Sequence, residues 1–367
     1  MRVLSVIGTR PEAVKMAPVV AQLGRTKGID HRLLLTAQHR DMVDQVLKIF
    51  DVIPEYDLDL MRYDQSPSEV LAAVLLQLQP ALLGFAPDWL LVQGDTTTAL
   101  GAAVGAAYAG IRVAHVEAGL RTYDRENPFP EELNRVLIDH ASHICFAPTE
   151  RARQALLSEG IPEQKVFVTG NTVVDALQFM SRRLPGTDGP SKASGRHLVL
   201  VTAHRRENHG QPLRDICKAL RRLARRPDVY IVYPVHRNPN VWNPVHEQLN
   251  GIEHITLLEP VDYLGFVSLM DRAYLILTDS GGIQEEAPSL GVPVLVMRSV
   301  TERQEAVSAG VARVVGTDTQ TIVSEASRLL DDPSAHAQMA CADNPFGDGN
   351  AAGRIVDALC SSGPNGA

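Results

Sequence analysis

Tyr274-Leu-Ile-Leu-Thr278-Asp279-Ser280-Gly281-Gly282-Ile283-Gln284-Glu285-Glu286 runs an apolar strand straight into paired glycines and then into a helix-forming stretch. Without Cβ atoms, Gly281 and Gly282 let a ligand approach the backbone. The free N–H groups at the start of the helix, with its positive dipole end, suit an anion. Glu286 needs a different explanation, since a carboxylate repels a diphosphate. One helical turn on, about 6 Å further along the axis, it is placed to accept hydrogen bonds from ribose hydroxyls. The segment reads as a nucleotide clamp; an ordinary tight strand-to-helix turn is the competing reading.

Short Val/Ile/Leu runs recur between helical stretches on both sides of this segment. They are Val3 to Ile7, Arg32 to Leu35, Trp89 to Val92, Arg112 to His115, Ile144 to Ala147 and Val166 to Val168, then Leu198 to Val201, Val229 to Tyr233, Ile255 to Leu258, Tyr274 to Leu277, Val292 to Val296 and Arg313 to Val315. Continuous apolar runs alternating with helices indicate parallel strands covered on both faces. Between the two series lies Leu184-Pro-Gly-Thr-Asp-Gly-Pro-Ser-Lys-Ala-Ser-Gly195, a linker by composition. The chain is therefore predicted to be α/β, with two Rossmann-like doubly wound domains. The first spans 1–180 and the second 197–345, joined by a linker at 181–196. A last helix at 346–360 packs back on the first domain, and 361–367 form a disordered tail. Ligands of open parallel sheets sit beyond the carboxyl ends of the strands, so a cleft between the domains is the expected binding place.

Bulk properties narrow the function. Acidic residues (43) outnumber Lys and Arg (35), giving a net charge of -8 with no long basic run, so nucleic acid is excluded as a partner. Any anionic ligand must be met by local basic residues and oriented amides. Cys145, Cys217, Cys341 and Cys360 form no CxxC pair and read as reduced thiols of a cytoplasmic protein. The histidines show no HExxH or Cys/His pattern, so no metal is expected. Met1 to Ile7 is too short for a signal segment, and no stretch has the length needed to cross a bilayer, so no membrane partner is expected; the longest apolar tract, Ala99 to Ala109, is too short and reads as a packed helix.

The first strand ends in Gly8-Thr9-Arg10-Pro11-Glu12-Ala13-Val14-Lys15. Thr9 and Glu12 have capping-box spacing and Pro11 fits a first helical turn. Arg10 and Lys15 near a helix N-terminus oppose the dipole unless an anion is present; solvated surface charge is the alternative. Asp95 follows Trp89-Leu-Leu-Val-Gln-Gly94, and Glu117 follows the next strand. Consecutive parallel strands bring such acids to one sheet edge, where crowded carboxylates suit general acid and base work, although Asp95 competes as a helix N-cap. Asn127-Pro-Phe-Pro-Glu131-Glu132 supplies a third acid, with capping explaining one of the two glutamates. His204, at the end of Leu198 to Val201, would face the cleft or be structural.

Six motifs, Gly8 to Lys15, Gln93-Gly-Asp-Thr-Thr-Thr98, His115-Val-Glu-Ala-Gly-Leu-Arg-Thr122, Pro128-Phe-Pro-Glu-Glu132, Thr202-Ala-His-Arg-Arg-Glu-Asn208 and Thr278 to Pro288, stand in order over almost the whole chain. Together they resemble the non-hydrolysing UDP-N-acetylglucosamine 2-epimerases. The resemblance implies a GT-B arrangement of the two domains and interconversion of UDP-GlcNAc and UDP-ManNAc. It also implies no nicotinamide, metal or other cofactor, and a homodimer. By the same resemblance Asp95, Glu117 and Glu131 are catalytic acids, with His204 near the diphosphate. Arg10, Lys15, Ser280, Gly281, Gly282, Glu286 and Arg303 become nucleotide-sugar ligands. Phe266 matches a uracil-contacting position, and Val261 one where the backbone would serve. Gln38, His39, Arg40 and His236 resemble parts of an allosteric site for a second UDP-GlcNAc. The implied route expels UDP, forms a 2-acetamidoglucal and re-adds UDP to the other epimer, whose sugar ordinarily feeds surface-polysaccharide synthesis. A hydrolysing epimerase, a GT-B glycosyltransferase and a non-catalytic nucleotide-sugar sensor are the competing readings.

Overall fold

Apolar runs buried on both faces become parallel strands, because only a sheet covered by helices on each side hides them completely. The computed structural model describes residues 1–36, 40–60, 62, 65–126, 128–183 and 195–363. It has two units, Met1–Ala176 with Gly347–Ala367, and Leu177–Phe346. The division falls inside the helix Thr172–Ser181. Most of the sequence expected as linker lies outside the described residues, as does the end of the tail.

Among the described residues, the first unit holds seven parallel strands: β1 (Arg2–Ile7), β2 (Asp30–Leu35), β3 (Tyr56–Asp57), β4 (Trp89–Gln93), β5 (Arg112–Val116), β6 (Ile144–Ala147) and β7 (Val166–Val168), in the order β3-β2-β1-β4-β5-β6-β7. The order reverses beside β1, the switch point at which doubly wound sheets bind ligands. The register sets Gln93 opposite Val116, so the residues just past β4 and β5 leave the sheet side by side. β3 was not foreseen; it is two residues at the sheet edge, paired with Leu34 and Leu35.

Pro67–Phe85, 19 residues of mean hydropathy 1.4, is long and apolar enough by length and composition to cross a membrane, which corrects the sequence reading. It forms two successive helices, Pro67–Gln77 and Gln79–Phe85. Val70, Val74, Leu78, Leu82 and Phe85 of this segment pack with Leu4, Leu90 and Val92 in the core beneath the sheet. Gly101, in the neighbouring helix Thr97–Tyr108, permits this approach: a Cβ there would stand 2.9 Å from Val74.

The last helix, Ala351–Ser361, belongs to the first unit. Its first N–H groups, from Ala351 and Ala352, donate to the buried Asp175 carboxylate at 3.2 and 2.9 Å, supplying the cap that Asn350 does not.

The second unit holds β8 (His197–Thr202), β9 (Val229–Pro234), β10 (Ile255–Leu258), β11 (Leu275–Thr278), β12 (Val294–Val296) and β13 (Ala312–Val314). Their order, β10-β9-β8-β11-β12-β13, is that of a Rossmann sheet. Its core gathers Val199, Val201, Ile231, Tyr233, Leu275 and Leu277 against helical Leu213, Ile216 and Leu220. The fold class is thus α/β with two Rossmann-like doubly wound units.

Candidate active site

In the first unit the site begins at the turn after β1. Thr9 caps the helix Arg10–Arg25, and Glu12 closes the capping box, its Oε2 accepting from Gly8 N (3.0 Å) and Thr9 N (2.5 Å). Its other oxygen accepts from the Thr96 hydroxyl at 2.8 Å, which fastens the turn after β1 to the turn after β4. Burial pushes the Glu12 carboxyl up, outweighing the hydrogen bonds from Thr9, Thr96 and Gly8. This rigid turn aims Lys15 across at Glu117, with Nζ 2.5 Å from Oε2 and 2.7 Å from Oε1. Gln93 at the end of β4 donates to Glu117 Oε2 at 2.9 Å. Glu117 sits at φ +68, a left-handed conformation uncommon for a residue with a side chain, of the kind that clusters at functional sites.

Asp95 does not cap a helix. Thr96 does, its hydroxyl accepting from Ala99 N at 3.0 Å, which leaves the Asp95 side chain for other work. That carboxylate meets Arg135 Nη2 at 2.5 Å, and Asn134 Nδ2 donates to the Asp95 carbonyl at 2.9 Å. Each of the two acids expected at one sheet edge thus faces a cation, Asp95 the Arg135 guanidinium and Glu117 the Lys15 ammonium. Of the paired glutamates, Glu132 is structural: its carboxylate accepts from Thr122 N and Tyr123 N and pairs with Arg135 at 3.1 Å. Glu131, at the start of the same helix (Glu131–Ala141), has no side-chain partner among the described residues. Sequence reasoning missed Arg135. The only available signal was its position four residues after Glu131, on the same helical face.

In the second unit, β11 passes through Asp279 into the helix Gly281–Glu286, so Ser280, Gly281 and Gly282 stand at a helix start. A Cβ on Gly281 would lie 3.0 Å from Glu302 Oε1, 3.5 Å from Arg303 Cζ and 3.6 Å from Arg205 Nη2, so the glycine keeps the approach to this charged cluster open. Arg303 is held by Glu285, Nε to Oε1 at 2.7 Å, and Glu286 occupies the next position on the helix. The buried Asp279 Oδ2 accepts from His204 N and Arg205 N at 2.8 Å each and from Asn208 Nδ2 at 2.9 Å, which places the turn after β8 beside the glycine pair. The His204 ring projects with 39% of its side chain exposed; burial lowers its pKa, Asp279 opposes that, and His236 and Arg205 reinforce it. His236 stacks on His204, ring centroids 5.6 Å apart, so it joins this cluster. Asp262 caps the helix Tyr263–Arg272; Val261 precedes the cap and Phe266 is half-buried one turn in.

Arg10 lies half-buried at the first position of its helix. Gln38 and His39 lie outside the described residues, as does the Arg40 side chain. Among the described residues no group of three His, Cys, Asp or Glu side chains is disposed to hold a metal ion.

Three comparisons locate this arrangement among known proteins. The profile of the family described as UDP-N-acetylglucosamine 2-epimerase matches residues 21–360. The chain is 53% identical over 369 residues to the UDP-N-acetylglucosamine 2-epimerase of Yersinia pestis, covering 98% of each chain. It superimposes with a TM-score of 0.88 on the crystal structure of UDP-GlcNAc 2-epimerase from Neisseria meningitidis bound to UDP-GlcNAc, at 46% identity over 98% of this chain and 100% of that one. The enzyme from Methanocaldococcus jannaschii in complex with UDP-GlcNAc and UDP gives 0.80 at 35% identity, again over 98% and 100%.

Proposed function

Because the chain belongs to the UDP-N-acetylglucosamine 2-epimerase family, we propose that it interconverts UDP-GlcNAc and UDP-ManNAc reversibly, without hydrolysis and without a cofactor. The observation that carries the reading is the set of Asp95, Glu117 and Glu131 on the turns and helix start beyond β4 and β5, with Lys15 and Arg135 on two of the acids. The C2 hydrogen of the sugar is adjacent to no carbonyl and is weakly acidic. Loss of UDP from C1 creates an oxocarbenium-like centre that acidifies it. A carboxylate takes the proton, giving 2-acetamidoglucal. Protonation from the other face and re-addition of UDP then yield the C2 epimer. Negative charge develops on the departing diphosphate, so the work of His204, Arg303 and the amides at Ser280 to Gly282 is leaving-group stabilisation. Glu286 holds the ribose, Phe266 the uracil, and the Val261 backbone assists; Arg10 and Lys15 serve the nucleotide sugar as well.

The test is incubation with UDP-GlcNAc in D2O. UDP-ManNAc carrying deuterium at C2 is expected, whereas full retention of the original hydrogen excludes solvent-exchanged proton transfer, and free sugar with UDP indicates a hydrolysing enzyme. We further propose that the enzyme acts in the cytoplasm as a homodimer and supplies ManNAc units for surface polysaccharide. A second UDP-GlcNAc, bound through Gln38, His39, Arg40 and His236, would activate it. Pure UDP-ManNAc would then react slowly until a little UDP-GlcNAc is added; full-rate conversion without a lag would exclude the activator.

A further inference from the structure

Behind the ends of β4 and β5 lies a buried charged group that the mechanism above leaves unused. His115, on β5, is fully buried, and both of its ring nitrogens face acceptors. Nδ1 is 2.6 Å from Asp139 Oδ1 and Nε2 is 2.8 Å from the Gly94 carbonyl oxygen. A neutral imidazole carries one N–H, so either tautomer would set a lone pair against a lone pair at one of these contacts. Only the doubly protonated ring donates to both.

The surroundings balance that charge. Asp139, also fully buried, accepts from His115 through one oxygen, and through the other from Arg121 Nη2 at 2.8 Å and Gly119 N at 3.2 Å. Arg121 continues to Glu159, Nε to Oε1 at 2.7 Å and Nη2 to Oε2 at 2.6 Å. Two cations and two carboxylates thus form a neutral set. Burial pushes Asp139 up, but the charge and hydrogen bonds of His115 and Arg121 outweigh it and hold the carboxyl below its usual range. Cys145 beside them directs its thiol at the Asp139 carbonyl and is itself pushed up by burial, so it stays neutral.

Two branches of this set, the Gly94 carbonyl and the Gly119 N–H, end on backbone beside a reacting acid. Gly94 immediately precedes Asp95, and Gly119 follows Glu117 by two residues. Gly94, Glu117 and Gly119 all have positive φ, at +70, +68 and +84, conformations that persist where surrounding contacts over-determine them. We propose, resting on the epimerase reading, that His115 is a protonated positioning residue which with Asp139 fixes the Gly94–Asp95 and Glu117–Gly119 turns and so sets the placement of the two carboxylates.

The test joins a spectroscopic measurement to kinetics on the full chain. In 15N-histidine NMR at neutral pH, the His115 ring should show one-bond N–H couplings at both nitrogens; a single N–H overturns the proposal. Asp139→Asn, which keeps the shape and removes the charge, and His115→Gln should lower kcat by about ten- to a hundredfold, the effect of misplacing reacting groups by a fraction of an ångström to 1 Å. Affinity for UDP should stay at the wild-type value in both. Wild-type kcat in either folded variant would overturn the positioning role. If both variants fail to fold, Glu159→Gln, at the partly exposed end of the set, should still lower kcat severalfold, and no change would count against the proposal. A wild-type chain that leaves UDP-GlcNAc unchanged would sink the epimerase reading, while the NMR result would still decide the protonation of His115.

Discussion

Lys15 Nζ lies 2.5 Å from Glu117 Oε2, so the cation that the family resemblance assigns to the nucleotide sugar also faces the Glu117 carboxylate. With the Lys15 side chain 16% and the Glu117 side chain 7% exposed, the pair is shielded from solvent screening. Lys15→Met removes the charge and keeps the length of the stem. A carboxylate deprived of its cation binds its proton more tightly, so the acidic limb of the pH–rate profile should move to higher pH. Turnover at neutral pH should fall by roughly tenfold or more, within the range of a lost acid–base contribution. An unshifted acidic limb would mean that Glu117 is not the group whose ionisation controls the rate.

Adjacent glutamates should separate cleanly. Glu131→Gln disturbs no partner among the described residues, so its melting temperature should match the wild type while kcat drops by about a hundredfold or more. Glu132→Gln weakens the acceptor that holds Thr122 N, Tyr123 N and Arg135, and should cost stability of about 1–3 kcal/mol. Paired thermal melts and initial rates distinguish the two; the reverse pattern would exchange their roles.

Gly119 combines φ +84 with a neighbour that leaves no room, since a Cβ would lie 2.3 Å from the Ala152 carbonyl oxygen and 2.9 Å from Leu156 Cγ. Left-handed strain and overpacking together put Gly119→Ala at roughly 2–5 kcal/mol of lost stability. Gly28→Ala is the control: φ is +85 but nothing lies within 4 Å, so only the strain of about 1–2 kcal/mol remains. Denaturant titration of both variants should rank them in that order.

His31 predicts a pH dependence of stability. Burial, opposed by Asp30, pushes its pKa down from 6.5 to about 4, and its Nε2 rests 3.0 Å from Ser5 Oγ. Between those two values the unfolded chain binds more protons than the folded one, so stability rises with pH. The contribution is fully present above about pH 6.5 and is lost as pH falls through about 4. His31→Gln should flatten this part of the stability curve, and an unaltered slope would assign the acid sensitivity to other groups.

Most strands were legible because a parallel strand covered on both faces must be apolar throughout, as Leu4, Leu90 and Leu277 are. β3 was not, because Tyr56 and Asp57 owe their conformation to pairing with Leu34 and Leu35 rather than to any local pattern. Asp95 was legible as an acid at a strand end, yet its freedom from capping depends on the Thr96 hydroxyl, which only geometry reveals. Arg135 and His115 were missed for a shared reason. Each has an ordinary local context, one a helical cation and the other a strand interior, and takes its meaning from partners 40 and 24 residues away. Glu117 stood out in sequence, but its positive φ and the Lys15 pair are products of the folded turn.

His204 supplies a prediction about ligand binding. Burial, reinforced by His236 and Arg205 and opposed by Asp279, lowers its pKa in the free protein. On the proposed reading a diphosphate comes to rest beside this ring, and a nearby anion favours the charged imidazole, so UDP binding should draw a proton onto His204 near neutral pH. Because protonation then accompanies binding, UDP should bind more tightly as pH falls from the alkaline side towards neutrality. Calorimetric titrations in two buffers of different ionisation enthalpy read the uptake directly. The terminal phosphate of UDP also titrates, so the decisive comparison is with His204→Asn, which should bind UDP more weakly with measurably less proton uptake. Equal uptake by variant and wild type would place the proton on the ligand and remove His204 from the diphosphate contacts.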